Sequence, residues 1–428
     1  MHRETVSPTH QTPTRGRSAS LARAALVPAA VATTSVLAAC APPAVATPPA
    51  RAAAQDTGTA ARVARIEHAI VRRTAAGADS GPPTTLAARM AELRVPGVQV
   101  AVFDSGRIVW ARGYGVRDAT TGAPVDTLTL FQAASISKPV AAAGMLRLVE
   151  SGRAELDADV NTMLRSWRVP PSPYTAAEKV TLRRITSHTA GLTVHGFAGY
   201  RVGAPLPSLV QLLDGRPPAN SPPVRVDTTP GARERYSGGG TEVMRLLMED
   251  VTGTPFAALM DTLVLRPAGM AHSTFAQPLP ARLAGRAASA HGGDGRPVPG
   301  RSHVYPELAA AGLWTTAPDL ARFLLAVGRA YRGEPGGFPD PASAREMLTR
   351  APGAAGGVGF RLAGAGPTLR YRHGGGNEGF RGYAVAFGAG GRGAVVLTNA
   401  DRGSELFPEL LDVIAREYHW PAPAMGSP

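Results

Sequence analysis

The chain has 428 residues, 44% apolar and 18% charged, with 49 glycines and 39 prolines. That is room for one large or two intimately joined domains with a substantial core and many turns, and it excludes a disordered chain. The net charge of +13 is spread thinly, with no basic run or stripe, so nucleic acid is not an expected partner.

At the N-terminus, Arg15, Arg17 and Arg23 precede a mostly apolar stretch from Ala24 to Ala39 that is short for a bilayer span. It runs into Leu37-Ala38-Ala39-Cys40, which resembles the lipobox of bacterial lipoproteins, and Cys40 is the only cysteine. With no second cysteine there can be no internal disulfide. The resemblance implies a signal peptide over residues 1–39 and a lipid-modified Cys40 at the mature N-terminus. The product is then an exported, cell-envelope lipoprotein held to the membrane by its acyl chains. A plain cleaved signal, with a secreted or periplasmic product, is the alternative, as is an uncleaved anchor.

Residues 40–60 are rich in Ala, Pro and Thr and read as a tether. A short basic helix is expected from Arg62 to Arg73, and the main folded domain over residues 84–418. Val98, Val100, Val102 and Phe103, then Asp104-Ser105-Gly106, then Ile108-Val109-Trp110 read as a tight hairpin. Gly382 to Phe387 and Gly393 to Leu397 read as two further strands around a Gly-rich turn. A last helix is expected from Glu405 to Tyr418, with Leu406, Leu410, Leu411 and Ile414 on one face. The expected fold is α/β (α+β): one antiparallel sheet shared by the two ends of the chain, backed by terminal helices, with a helical subdomain between.

Only two of the 45 basic residues are lysines, and one is Lys138, three residues after Ser135. Arginine keeps its proton at any accessible pH, whereas a buried lysine can act as a base. Val140 to Glu150 is apolar and helix-forming, with Gly152 placed to cap its end. Pro139 is tolerated only near a helix start, so Ser135 falls at the first turn, where helix N–H groups favour negative charge. Ser135 and Lys138 then share a face. Because Lys138 precedes a proline, that first turn is expected to be distorted.

About 100 residues later comes Tyr236-Ser237-Gly238, and near the C-terminus His373-Gly374-Gly375. Ser-x-x-Lys followed by two such motifs is a signature of penicillin-recognising enzymes. The order resembles the β-lactamase-related serine hydrolases: class C β-lactamases, D-alanyl-D-alanine carboxypeptidases and esterases sharing their fold. Ser187-His188-Thr189-Ala190-Gly191-Leu192, Gly312-Leu313-Trp314-Thr315-Thr316 and the run from His373 to Phe380 also resemble the family. The resemblance implies Ser135 as the acylated nucleophile, Lys138 as the amine that lowers its proton affinity, and Tyr236 as the proton relay. It implies Gly376 as an oxyanion donor beside the N–H of Ser135, on a strand whose Gly374 and Gly375 let substrate approach. His373 stands where the family often has lysine. It is read as a proton-transfer aid, a carboxylate binder or a hydrogen-bonded wall residue.

Gly238 stands where β-lactamases usually carry an asparagine that grips the acylamide, and Gly374 where they carry a hydroxyl. Both departures weaken the expectation of efficient β-lactam hydrolysis. His188 and His195 lack a metal-ligand spacing and read as loop residues; Asp157 and Asp159 read as a structural turn. The loop from Tyr200 to Asn220 is the expected specificity element. The expected function is a serine hydrolase acting through an acyl-enzyme on an ester, amide or lactam, small molecule or peptide, without metal or cofactor. A slow penicillin- or peptidoglycan-binding protein and a true class C-like β-lactamase are the alternatives.

Overall fold

The structure is a computed structural model that describes residues 50–74, 78–388 and 391–420. The signal segment, Cys40 and the first half of the tether lie outside the described residues. Seven strands form one antiparallel sheet, in the order Ala123–Pro124, Arg107–Asp118, Gly97–Asp104, Arg392–Thr398, Phe380–Phe387, Arg370–Asn377, Arg361–Ala363. The expected hairpin is its centre. Ser105 and Gly106 both take positive φ, 51° and 77°, the two-residue turn whose twist matches the flanking strands.

Both faces of the sheet are covered. Val98, Val100 and Val102 point to one side, where they pack with Val63, Ile66 and Ile70 and with Leu406, Leu410, Leu411 and Ile414 of the C-terminal helix Gly403–Glu417. Ala101 and Phe103 point to the other, into a core shared with the helices of the middle segment. Burial on both faces explains why Gly97–Asp104 is apolar almost throughout instead of alternating.

The N-terminal expectations need correction. An α-helix runs Ala50–Glu67, so the segment read as a tether is helical from Ala50 onward. The alanine-rich run from Ala50 to Ala54 has the highest intrinsic helix propensity available. The helix expected from Arg62 to Arg73 ends at Glu67, and Ile70–Arg73 is instead a strand paired with Asp79–Thr84. β-Branched Ile70 and Val71 suit a strand better than a helix end. The folded unit therefore begins before residue 84, since Val63, Ile66 and Ile70 are buried. Arg89 and Glu409 are also both buried here and joined by two hydrogen bonds of 2.8 and 2.7 Å, tying the first part of the chain to the last helix. Among the described residues no helix is long and apolar enough to cross a membrane.

Three helices of the middle segment set up the site. Ser137–Glu150 is preceded by a 3-10 turn at Ala134–Ile136, the distorted start that the Lys138-Pro139 pair requires. Gly238–Thr252 is capped by the Ser237 hydroxyl, which accepts the N–H of Gly240. Ala317–Arg332 is capped by Thr316 and packs beneath the sheet.

Candidate active site

Ala134 holds a positive φ of 49°, rare for a residue with a Cβ. It turns the chain sharply so that Ser135 meets the last strands while Lys138 follows one turn behind it. The segment 308–316 braces this turn. The N–H of Ala133 donates to Leu313 O at 2.8 Å, the N–H of Leu313 to Ser137 Oγ at 3.1 Å, and Asn377 Nδ2 to Gln132 Oε1 at 2.8 Å and to Ala311 O at 3.1 Å.

Lys138 is buried; its Nζ donates to Ser135 Oγ at 3.0 Å and to Ala310 O at 2.9 Å. The Tyr236 ring lies on the far side, 4.9 Å from Nζ to its centroid. Hydroxyl, amine and phenol all line one cavity of about 420 Å3, with His373, Gly374, Gly375 and Gly376 of the strand Arg370–Asn377. All the residues singled out on the three motifs thus converge except Gly238, which does not line this cavity. A Cβ at Gly238 would sit 3.0 Å from the Phe197 ring and 3.1 Å from His195 O, so Phe197 occupies the space next to the position of the missing amide.

Gly375 makes the closest approach. A Cβ there would lie 2.2 Å from Ala133 O and 3.2 Å from Ser135 N, so only glycine lets the strand rest on the turn that carries Ser135. Gly375→Ala is expected to lower kcat/KM by about a hundredfold, since sub-ångström displacement of reacting groups carries penalties of that order. Ester-hydrolysis kinetics on the folded variant would check this; wild-type rates would show that the contact is slack.

Histidines surround Tyr236, and sequence reasoning found only one of their roles. His188, read as a loop residue, lies 4.2 Å from the Tyr236 ring between centroids; His195 lies 4.9 Å away and His373 6.3 Å. The signal lay in the Ser187–Leu192 motif, but pattern alone cannot say which ring packs on which. His188 Nδ1 accepts the N–H of Ser237 at 3.2 Å, which leaves its proton on Nε2. His373 Nδ1 donates to Gly374 O at 2.6 Å, which leaves a lone pair on Nε2. Burial, reinforced by the Lys138 charge, holds His188 well below the ordinary histidine value and pushes His373 down to about 3. Both rings are neutral at neutral pH, which does not suit His373 to bind a carboxylate as a cation.

Those two histidines also tie stability to pH. An unfolded histidine titrates near 6.5, so as pH falls the unfolded chain takes up protons before folded His373 does at about 3. The His373 contribution is complete above about 6.5 and is lost between there and about 3, at up to about 1.4 kcal/mol per pH unit; His188, also depressed, acts in the same direction. Urea midpoints measured from pH 7 to pH 4 should fall, and the fall should shrink in His373→Gln.

The remaining candidates fall outside the cavity. Asp159 caps a 3-10 turn by accepting the N–H of Asn161, and Asp157 pairs with Arg183 at 2.7 Å, both structural as expected. The wall opposite the strand comes from His195, Gly196 and Phe197, not from the loop Tyr200 to Asn220, which carries the helix Leu209–Asp214 instead. Among the described residues no group of three or more His, Cys, Asp or Glu side chains is placed to hold a metal ion.

The chain is similar to known proteins in sequence and in fold. The Beta-lactamase family model matches residues 84–418. Over 303 residues the chain is 29% identical to Esterase EstB of Burkholderia gladioli, an alignment covering 61% of this chain and 74% of that one. It is 28% identical over 237 residues to Penicillin-binding protein 4 of Amycolatopsis lactamdurans, covering 54% of this chain and 59% of that protein. The solved structure of D-alanine carboxypeptidase AmpC from Burkholderia cenocepacia superposes with a TM-score of 0.61 at 21% identity, over 77% of this chain and 96% of that one. At that identity the likeness concerns the fold.

Proposed function

The chain belongs to the beta-lactamase family and is a serine hydrolase of that fold, and from that premise we propose that it cleaves carboxylic esters through an acyl-enzyme on Ser135. One observation carries the reading: Lys138 Nζ sits 3.0 Å from Ser135 Oγ inside a cavity that also holds Tyr236 and the glycine strand.

The chemistry follows from the donors. With the amine neutral, Lys138 gives a hydrogen to Ala310 O and turns its lone pair toward Ser135 Oγ, 3.0 Å away, with the Tyr236 ring beside it. Ser135 loses its proton to this amine–phenol pair as Oγ bonds to the ester carbonyl. The carbonyl oxygen becomes an anion facing the N–H groups of Ser135 and Gly376, a pair of the kind worth about 3 kcal/mol per donor. On collapse the C–O bond to the leaving alcohol breaks and the alcohol takes the proton back. Water then repeats the cycle on the acyl carbon and restores Ser135.

An ester is favoured over a lactam because the two positions that would grip an acylamide and a carboxylate are Gly238 and Gly374, with Phe197 filling the space next to the first. The esterase among the relatives agrees with that choice. Penicillin binding with slow release is the second reading, favoured by the intact Ser135–Lys138 pair and by the penicillin-binding relative. A panel of nitrocefin, short and long p-nitrophenyl esters and D-alanyl peptides separates them. Fast ester turnover with little nitrocefin hydrolysis is expected; the reverse order would overturn the ester assignment.

We further propose that the enzyme works in the cell envelope, anchored through Cys40, on the strength of the Leu37-Ala38-Ala39-Cys40 sequence. Labelled palmitate should enter the wild type and not Cys40→Ala; equal labelling would refute the anchor.

A further inference from the structure

Behind Lys138, on the side away from the cavity, lies a second cluster of ionisable groups that acyl transfer does not use directly. Ala310 joins it to the amine. Its carbonyl accepts from Lys138 Nζ at 2.9 Å, and its N–H donates to Glu242 Oε1 at 2.8 Å. Glu242 is fully buried in the helix Gly238–Thr252, which starts two residues after Tyr236. One carboxylate therefore ties the segment that carries the phenol to the backbone that carries the amine.

Glu242 is itself held by Arg245, whose Nη1 lies 3.2 Å from Oε2 and donates also to Pro306 O at 2.6 Å, while Nε reaches Glu249 at 3.2 Å. Beside them Glu307 is fully buried, and neither of its carboxyl oxygens has a hydrogen-bond partner. Burial, with the Glu242 charge adding to it, pushes Glu307 up to about 8, so it holds a proton at neutral pH. Burial also raises Glu242, against the opposing effect of Arg245 and the Ala310 N–H. Of the two carboxyls, Glu242 is the one hydrogen-bonded toward Lys138, through Ala310.

We propose that Glu242 is a positioning residue for acyl transfer: it fixes Ala310 and, through the Ala310 carbonyl, holds the Lys138 amine against Ser135. The proposal rests on the reading of Ser135 as nucleophile. Two variants separate reach from bulk. Glu242→Asp withdraws the carboxyl from Ala310. Glu242→Gln keeps both the length and an acceptor for the Ala310 N–H.

Steady-state kinetics with a p-nitrophenyl ester, on wild type, both Glu242 variants, Glu307→Gln and Ser135→Ala, test this, with thermal midpoints measured alongside. Glu242→Asp should lose about tenfold in kcat with little change in KM, as expected for a lost interaction that acts at the transition state. Glu242→Gln, which keeps the acceptor for the Ala310 N–H, should retain most of the wild-type kcat. Glu307→Gln should match the wild type. Wild-type kcat in Glu242→Asp, or a loss in Glu242→Gln as large as in Glu242→Asp, would overturn the proposal. So would failure of both to fold, or equal effects in Glu307→Gln, since either marks a purely structural role. Retained turnover in Ser135→Ala would overturn the nucleophile assignment and this proposal together; lost turnover there, with Glu242 variants unmoved, overturns the proposal alone.

Discussion

Ser135→Ala is expected to reduce ester turnover by at least about a thousandfold, the usual scale for removing a covalent nucleophile. The fold should tolerate the change. The substitution removes one oxygen from a half-buried side chain and leaves the 3-10 turn Ala134–Ile136 with its backbone support from Leu313. Lys138 keeps Ala310 O as a partner, so no buried amine is orphaned. Initial rates with p-nitrophenyl esters, paired with circular dichroism, read the two quantities separately. A folded variant retaining more than about a tenth of the wild-type rate would place the chemistry elsewhere.

Lys138→Arg is the second large effect and the more discriminating one. An arginine can still give hydrogens to Ser135 Oγ and Ala310 O, the two oxygens that Lys138 reaches. What it cannot do is release a proton at any pH the enzyme meets. If the amine's lone pair matters, kcat should fall by about a hundredfold or more, as for the loss of positioned proton transfer. If Lys138 only donates hydrogen bonds, the loss should stay within about tenfold. The larger guanidinium will strain the buried site by roughly 1–3 kcal/mol, so thermal midpoints belong beside the rates.

The resemblance read from the sequence named the main chemistry because Ser-x-x-Lys, Tyr-Ser-Gly and His-Gly-Gly are each local, the first two at helix starts and the third within one strand. The central hairpin and the C-terminal helix were legible for the same reason: their turn residues and apolar period lie within one short window. What the sequence could not show is contact between distant windows. His188 and His195 looked like loop residues because their partner, the Tyr236 ring, is some 40 to 50 positions away. Glu242 looked like an ordinary helix residue, and only the meeting of two helices shows that it braces Ala310. At the N-terminus the alanine run misled in the other direction: low complexity suggested a tether, whereas high helix propensity won.

Gly238 shows both limits together. Its identity suggested a missing amide, but the neighbouring space is taken by Phe197, a residue the sequence reading did not single out. On the ester reading proposed above, that ring stands where an acylamide would be held.

The most direct test is to trap the intermediate. Rapid quenching after exposure to an activated ester, followed by peptide mass mapping, should find one acyl group on the peptide bearing Ser135, at near-stoichiometric yield, decaying as product appears. An acyl group on any other residue, or full turnover with no adduct at Ser135, would contradict the account.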